Sequence, residues 1–495
     1  MKPTPAPVVI AGGGPVGFAT ALGLARQGVR SIVFEKAPAP APYARAGVVL
    51  SRTVEIFRSW GLLEEIRAEA IAPATLEVCD ALDGAQLARF DFSLLREETF
   101  DPHPVFLPQH RTEKILRDAA TGTGLVDARF GEEVVDFCHD ADGVRLVVRK
   151  LGEPSTHSLE APFLVGADGA NSTVRAKLGL GLEGETYPTR IMLAVVEIED
   201  RRDALPWPRL RFDGPEYLAA LRFAPGRWRV IATLPAGESD AGALAQDTIA
   251  GYVRATLGDG PFQIEWASAF NIHRRHAPWF AVGRVALAGD SAHLNSPVGG
   301  QGLNAGIADA QNLAWKLAHA LRGGDAMRLL ASYNVERRHA ILTSTERFTD
   351  RNTKLLLSIP PQHRRLMFAA VGRLMRIAPL ARRLLRTGVL LDVRYTDSPL
   401  FPTRGHWIGR RAPDPELAVT DRAVLALCGF DEVDAGRLDL PEGVERLSLQ
   451  PERAARWRTR APFAALVRPD GFVGWFERRP SRGTIERNVR HALGY

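Results

Sequence analysis

The sequence predicts an α/β protein: a parallel sheet with crossover helices, interrupted by a mainly antiparallel block and followed by a smaller α/β unit. Three observations carry this. Short apolar runs at residues 8–11, 31–34, 163–167 and 284–288 read as buried parallel strands. Between residues 187 and 272 the hydrophobic period becomes two, as an antiparallel sheet with one covered face requires. From about residue 394 the composition shifts again, after helical segments rich in arginine and leucine.

Taken in order, strand 8–11 runs into Gly12-Gly13-Gly14-Pro15-Val16-Gly17, a helix over 18–27 closed by Gly28, and a strand over 31–34 ending at Glu35, which is one βαβ unit. A proline-rich loop over 37–43 precedes a helix expected from Thr53 to about Ile71. Residues 76–107 read as strands or irregular structure, and 112–121 as a helix. Strands are expected at 191–198, 217–223, 228–234 and 263–272, and a helix over 305–321 with Asp309 in its first turn. Residues 351–391 contain no acid among many arginines. They are expected to be amphipathic helices packing on the domain, with a basic surface for a membrane or anionic partner as the other reading.

A chain of 495 residues divides into two or three domains. The expected division is a discontinuous nucleotide-binding domain (1–75, 100–186 and 280–350), a β domain (76–99 and 187–279), a helical connection (351–393) and a C-terminal domain (394–495). With 63 basic against 57 acidic residues and no nucleic-acid motif, nucleic acid is not an expected partner. Cys79, Cys138 and Cys428 lie far apart, which argues against a disulfide framework and fits a reducing compartment. No run of about 18 apolar residues occurs, and the N-terminal apolar run breaks at Gly12, so a transmembrane segment and a signal peptide are not expected and the cytoplasm is. No ligand cluster calls for a metal.

Gly12-x-Gly14-x-x-Gly17 stands between strand and helix, the context in which it binds a dinucleotide. Gly12 permits the tight turn, Gly14 lets the backbone approach a pyrophosphate, and Gly17 lets helix pack on sheet. Glu35, followed by Lys36, ends the next strand where a carboxylate accepts from ribose hydroxyls. These residues leave NAD and FAD both open. Two later segments bear on the choice: Gly166-Ala167-Asp168-Gly169-Ala170-Asn171-Ser172-Thr173-Val174-Arg175, and Gly289-Asp290-Ser291-Ala292-His293 running on through Pro297-Val298-Gly299-Gly300-Gln301-Gly302-Leu303-Asn304.

With these three motifs in order, residues from about 6 to about 350 resemble the aromatic-hydroxylase group of flavoprotein monooxygenases, the family of para-hydroxybenzoate hydroxylase and phenol hydroxylase. The resemblance implies a Rossmann-like FAD-binding domain with an inserted antiparallel substrate domain. It implies an enzyme that uses NAD(P)H and O2 to hydroxylate a phenolic or polycyclic aromatic through a flavin hydroperoxide. It places Gly12, Gly14, Pro15, Val16, Gly17, Glu35 and Lys36 at the ADP half of FAD, with Asp290 at the ribityl chain. Pro297, Gly299, Gly300, Gly302, Leu303 and Asn304 would position the flavin ring, where the following helix dipole favours an anionic reduced flavin. Arg45, Gln109 and Asp168 resemble further cofactor contacts, and Arg175 is open between a functional role and pairing with Asp168. His293 is given a positional role, and no catalytic side chain is assigned.

Substrate candidates by location are Tyr217, Arg222, Phe223 and Trp228, with Arg275 beside them. The C-terminal unit resembles the thioredoxin-like domain of phenol-hydroxylase-type members through Asp397-Ser398-Pro399-Leu400, Gly409-Arg410-Arg411-Ala412-Pro413-Asp414 and Val467-Arg468-Pro469-Asp470-Gly471. A lone Cys428 there cannot run dithiol exchange. Its apolar runs must be buried on the FAD domain or a second subunit, which leaves a homodimer open. Two rival readings stand beside this one: a flavoprotein dehydrogenase, oxidase or reductase without oxygen insertion, and a catalytically silent dinucleotide-binding regulator.

Overall fold

A computed structural model describes residues 6–41, 47–430, 436–459 and 461–495. The apolar runs come together in one six-stranded sheet, ordered Ala281–Val282, Val285–Leu287, Leu164–Gly166, Val8–Ala11, Ser31–Glu35 and Val126–Phe130. All neighbours are parallel except the edge strand Ala281–Val282. Parallel strands need covered faces. One cover is helix Pro15–Arg26, which lies on helix Gln301–Leu321 so closely that a methyl on Gly23 would fall 2.8 Å from the Ala314 side chain.

Several expectations are corrected. The helix expected from Thr53 is two, Ser51–Ser59 and Leu63–Glu69, broken around Gly61. Residues 132–161 form a three-stranded antiparallel sheet of largely exposed strands, whose polar outer faces gave no strong periodic signal. The helix expected from residue 305 begins at Gln301, so Asp309 lies well inside it, fully buried, and does not act on the first turn.

The period-two block forms an eight-stranded sheet, ordered His293–Leu294, Gln263–His276, Glu183–Glu197, Arg227–Thr233, Leu218–Ala224, Arg209–Arg211, Thr75–Asp80 and Gln86–Asp91. One face packs Met192, Ala194 and Val230 against Ile249 and Val253 of helix Gln246–Leu257. The other faces a cavity. Across that cavity stand three helices, Arg347–Ser358, Pro361–Met375 and Ala378–Gly388. They follow helix Ala326–Ala340 through a π-helical turn at Ile341–Glu346.

In the C-terminal unit, strands Glu445–Ser448, Val424–Cys428, Phe463–Val467 and Val473–Arg478 form a sheet in that order, closed by helix Arg482–Ala492. Trp315 and Leu329 share a core with Leu425, Leu466 and Val489, so this unit is buried on the long helices of the same chain. Buried charges reinforce the seam. Arg468 donates to Glu336 at 2.7 and 2.8 Å, and Arg411 pairs with Glu55. Among the described residues, no helix is long and apolar enough to cross a membrane.

Candidate active site

The first glycine loop is shaped by backbone contacts that exclude side chains. Gly12 has φ +107°, and a β-carbon there would lie 2.2 Å from the Ala167 carbonyl; one on Gly17 would lie 1.9 Å from the Gly12 carbonyl. At Gly14 a methyl would meet nothing within 4 Å, so this turn opens onto the cavity, beside Pro15 and Val16. Pro15, at the helix start, sacrifices no hydrogen bond. Glu35 accepts from the Gly13 N–H at 2.7 Å and the Ala37 N–H at 2.9 Å, which ties the loop to the second strand, while Lys36 is exposed. Arg45 lies outside the described residues.

Asp168 uses Oδ2 to accept from the Val174 N–H at 3.1 Å, whereas its buried Oδ1 has no hydrogen-bond partner among the described residues. A buried carboxylate oxygen left unmatched beside a glycine turn is what a hydroxyl-bearing or N–H-bearing ligand would satisfy. Arg175 makes no direct hydrogen bond to Asp168, whose charge nonetheless acts on it. It donates to the Ser291 carbonyl at 3.0 Å and the Ala170 carbonyl at 2.7 Å, stapling the Asp168 loop to the turn that carries Asp290. Gln109 opens helix Gln109–Gly122, whose cap is Pro108, and lines the cavity.

The second loop turns into helix Gln301–Leu321 through two left-handed residues, Gly299 at φ +87° and Gly300 at φ +63°. Both are hemmed in: a β-carbon on Gly300 would lie 2.1 Å from Val48 Cγ1, and one on Gly299 2.7 Å from the Phe348 ring. Asn304 holds the loop from within, donating to the Gly300 and Val48 carbonyls and accepting from the Leu50 N–H. Its side chain thus builds the loop from beneath. Pro297, Gly300, Gly302 and Leu303 face the cavity, as does Asp290 from an exposed position. The first-turn N–H groups of the helix have no partner within it and carry its positive end.

His293 is fully buried. Its Nε2 sits 2.7 Å from Asp309, which also accepts from the Gly289 N–H and from Arg337 Nε. This relay sets the Gly289–Ser291 turn and keeps the imidazole away from the cavity.

The cavity, about 1930 Å³, runs from both loops to the eight-stranded sheet and the three helices. Sites for one drug-sized ligand span roughly 300–1,000 Å³, so this one has room for a dinucleotide and a second molecule. Leu193, Tyr217, Phe223, Ile231 and Phe270 line the sheet side; Leu356, Phe368 and Met375 line the helix side. Alternation along the strands separates the four substrate candidates. Tyr217 and Phe223 face the cavity, but Arg222 and Trp228 point to the opposite face, where both bond Asp203. Arg229 and Ile231, of the other parity, take the place foreseen for Trp228. Burial pushes the Tyr217 hydroxyl up to about 12, so it stays a neutral donor. Burial draws the Arg229 guanidinium down to about 10, still a cation at neutral pH, over the Phe223 ring at 4.9 Å. Arg275 also lines the cavity.

The helical wall was not foreseen as part of the site. Its signal was present: Met367, Phe368, Val371 and Met375 recur at helical spacing inside the acid-free run.

Comparison with known proteins gives a consistent result. A family model described as FAD binding domain matches residues 5–349. The chain is 32% identical, over 98% of its length and 93% of the relative's, to 6-methylpretetramide 4-monooxygenase of Streptomyces rimosus. Among solved structures it resembles the OxyS anhydrotetracycline hydroxylase from Streptomyces rimosus, with TM-score 0.79, 29% identity and 99% of each chain covered. It also resembles CabE, an aromatic hydroxylase from angucycline biosynthesis, with TM-score 0.78, 25% identity and 99% of each chain covered.

Proposed function

The chain belongs to the FAD-binding flavoprotein aromatic hydroxylases, and from that premise we propose that it hydroxylates a multi-ring phenolic substrate at the expense of NAD(P)H and O2. The observation that carries the multi-ring reading is a single cavity of about 1930 Å³ that joins both glycine loops to a wide apolar wall. The relatives that are an anhydrotetracycline hydroxylase and an aromatic hydroxylase from angucycline biosynthesis point the same way.

The residues present fit FAD. Gly12, Gly14, Pro15, Val16 and Gly17 would hold its pyrophosphate, Glu35 and Lys36 the adenosine side, Asp168 and Asp290 its hydroxyl-bearing chain, and Gln109 would contact it from the helix start. The open space at Gly14 and the unmatched Asp168 Oδ1 support this placement. When bound, FAD would supply the redox chemistry that couples NAD(P)H oxidation to O2 activation. Pro297, Gly299, Gly300, Gly302 and Leu303 would set the ring plane, with Asn304 fixing their backbone. The helix end behind them favours negative charge on the ring.

The substrate would lie between the Leu193–Phe223–Phe270 face and the Phe368–Met375 wall, which exclude water. There Tyr217 offers a neutral hydroxyl and Arg229 a positive charge that stabilises a phenolate oxygen. In this reading residues 1–75, 100–186 and 280–350 form the FAD part, 76–99 and 187–279 the substrate part, and 394–495 a thioredoxin-like appendage that stiffens the chain.

The test is NAD(P)H oxidation by the yellow protein, with single-ring and multi-ring phenols under labelled O2. A multi-ring phenol should stimulate oxidation and gain one labelled oxygen atom. Stimulation by single-ring phenols alone would overturn the substrate reading, and turnover without label would make the protein an oxidase.

A further inference from the structure

The helical wall has an outer face that the site does not use. Leu355, Leu366, Leu374, Ile377 and Leu384 make up five of the eleven large apolar side chains exposed among the described residues, and all five lie between residues 355 and 384. Leu366, Arg373, Leu374 and Ile377 follow one another at helical spacing along one side, and Arg376, Arg383 and Leu384 continue it across the corner onto helix Ala378–Gly388. Three other arginines on these helices turn back to acids: Arg365 to Asp83, Arg382 to Glu97, Arg386 to Glu98. Arg373, Arg376 and Arg383 form no ion pair among the described residues. The mouth of the cavity opens within this patch, since Leu374, Arg383 and Leu384 are exposed and also line it.

We propose that this face docks on an anionic lipid surface, with Leu366, Leu374, Ile377 and Leu384 in the headgroup layer and Arg373, Arg376 and Arg383 on lipid phosphates. Charge complementarity selects this occupant. Apolar side chains rimmed by unpaired guanidiniums match an acidic bilayer interface, where the apolar part inserts and the cations are attracted by the surface potential. A second copy meeting this face about a two-fold axis would press like charges together, because each residue would face the same set on its partner. Docking here would rest the cavity mouth on the bilayer, from which an apolar ring system could enter without crossing water. That access route depends on the proposed function; the docking does not, and vesicle binding reads it without turnover.

The experiment is co-sedimentation of the FAD-loaded full chain with vesicles of phosphatidylglycerol and phosphatidylcholine, against vesicles of phosphatidylcholine alone. Binding should be at least about ten-fold tighter to the anionic vesicles and fall as salt is raised. R373E/R376E should lose at least about ten-fold of that binding, and L366S/I377S several-fold, with flavin content and melting temperature unchanged. Equal binding to both vesicle types, binding to neither, or wild-type binding by the charge-reversed variant would overturn the proposal. So would a solution dimer abolished by L366S/I377S without vesicle binding, since the face would then belong to a second copy.

Discussion

Replacing Arg468 with Met tests how the C-terminal unit is held. The guanidinium is fully buried, bonded twice to Glu336 at 2.7 and 2.8 Å and twice to Asp470 at 3.1 and 2.6 Å. The cluster is neutral as built, with Arg468 and Lys316 opposing Glu336 and Asp470. Methionine fills much of the volume but leaves one buried negative charge unmatched. Glu336 would keep Lys316 at 2.8 Å and Ser398 at 2.6 Å, and Asp470 would keep Asn312 at 2.8 Å. Breaking a buried pair from one side costs about 3–5 kcal/mol. If the chain unfolds as a unit, an unfolding entropy of about 2.1 cal/mol/K per residue converts this into a melting shift of about 3–5 °C. Should the C-terminal unit open alone, the same energy spread over roughly a hundred residues would shift its own transition by about 15–25 °C. Calorimetry with flavin release as a second probe separates the two cases. The double variant R468M/D470N restores neutrality and should recover most of the loss. A single-variant cost below about 1 kcal/mol, or a double variant worse than the single, would refute the view of this cluster as a charge-balanced seam.

Three further outcomes are expected. G300A should lower the melting temperature of the apoprotein, since an alanine must hold φ +63° with its β-carbon 2.1 Å from Val48; G302A, whose methyl meets nothing within 4 Å, should spare the fold and lower flavin affinity instead. D290N should weaken FAD binding by about ten- to a hundred-fold, as a lost charge-assisted hydrogen bond does, with the apoprotein melt unchanged, whereas H293A should lower that melt because it opens the buried Asp309 relay. Burial holds the Glu113 carboxyl at about 7 against an ordinary 4.5, so the folded state keeps a proton that the unfolded state has lost. Stability should therefore decline as pH rises from about 4.5 to 7, and E113Q, measured by thermal melts across that window, should flatten the decline and melt higher at pH 8.

How much of this was legible in the sequence depended on which atoms do the work. The buried strands at 8–11, 164–166 and 285–287 were readable because a doubly covered parallel strand must be apolar throughout. The sheet over 132–161 was not, because strands exposed on one side alternate too weakly against a polar background. Helix ends misled as well. Gln301 reads as loop by its company of glycines, yet the left-handed Gly300 starts the helix there.

The same distinction divides the site. Around both glycine loops the constraint falls on backbone, and the residue types that permit it are few, so Gly12, Gly17, Gly299 and Gly300 could be named from sequence alone. The apolar wall imposes only a face, and a face follows from strand parity, which a bulge can reset: the pairing of Leu218–Ala224 with Arg227–Thr233 slips between Arg222 and Ala224. Candidates taken by location alone therefore included Trp228, which lies in the core, and passed over its neighbour Arg229, which lies in the cavity. The positive charge of that wall is thus the feature least visible from sequence. In the proposed reading it is also the one through which substrate choice would change with few consequences for the fold, since Arg229 projects from a strand whose opposite face, with Trp228 and Val230, secures the packing.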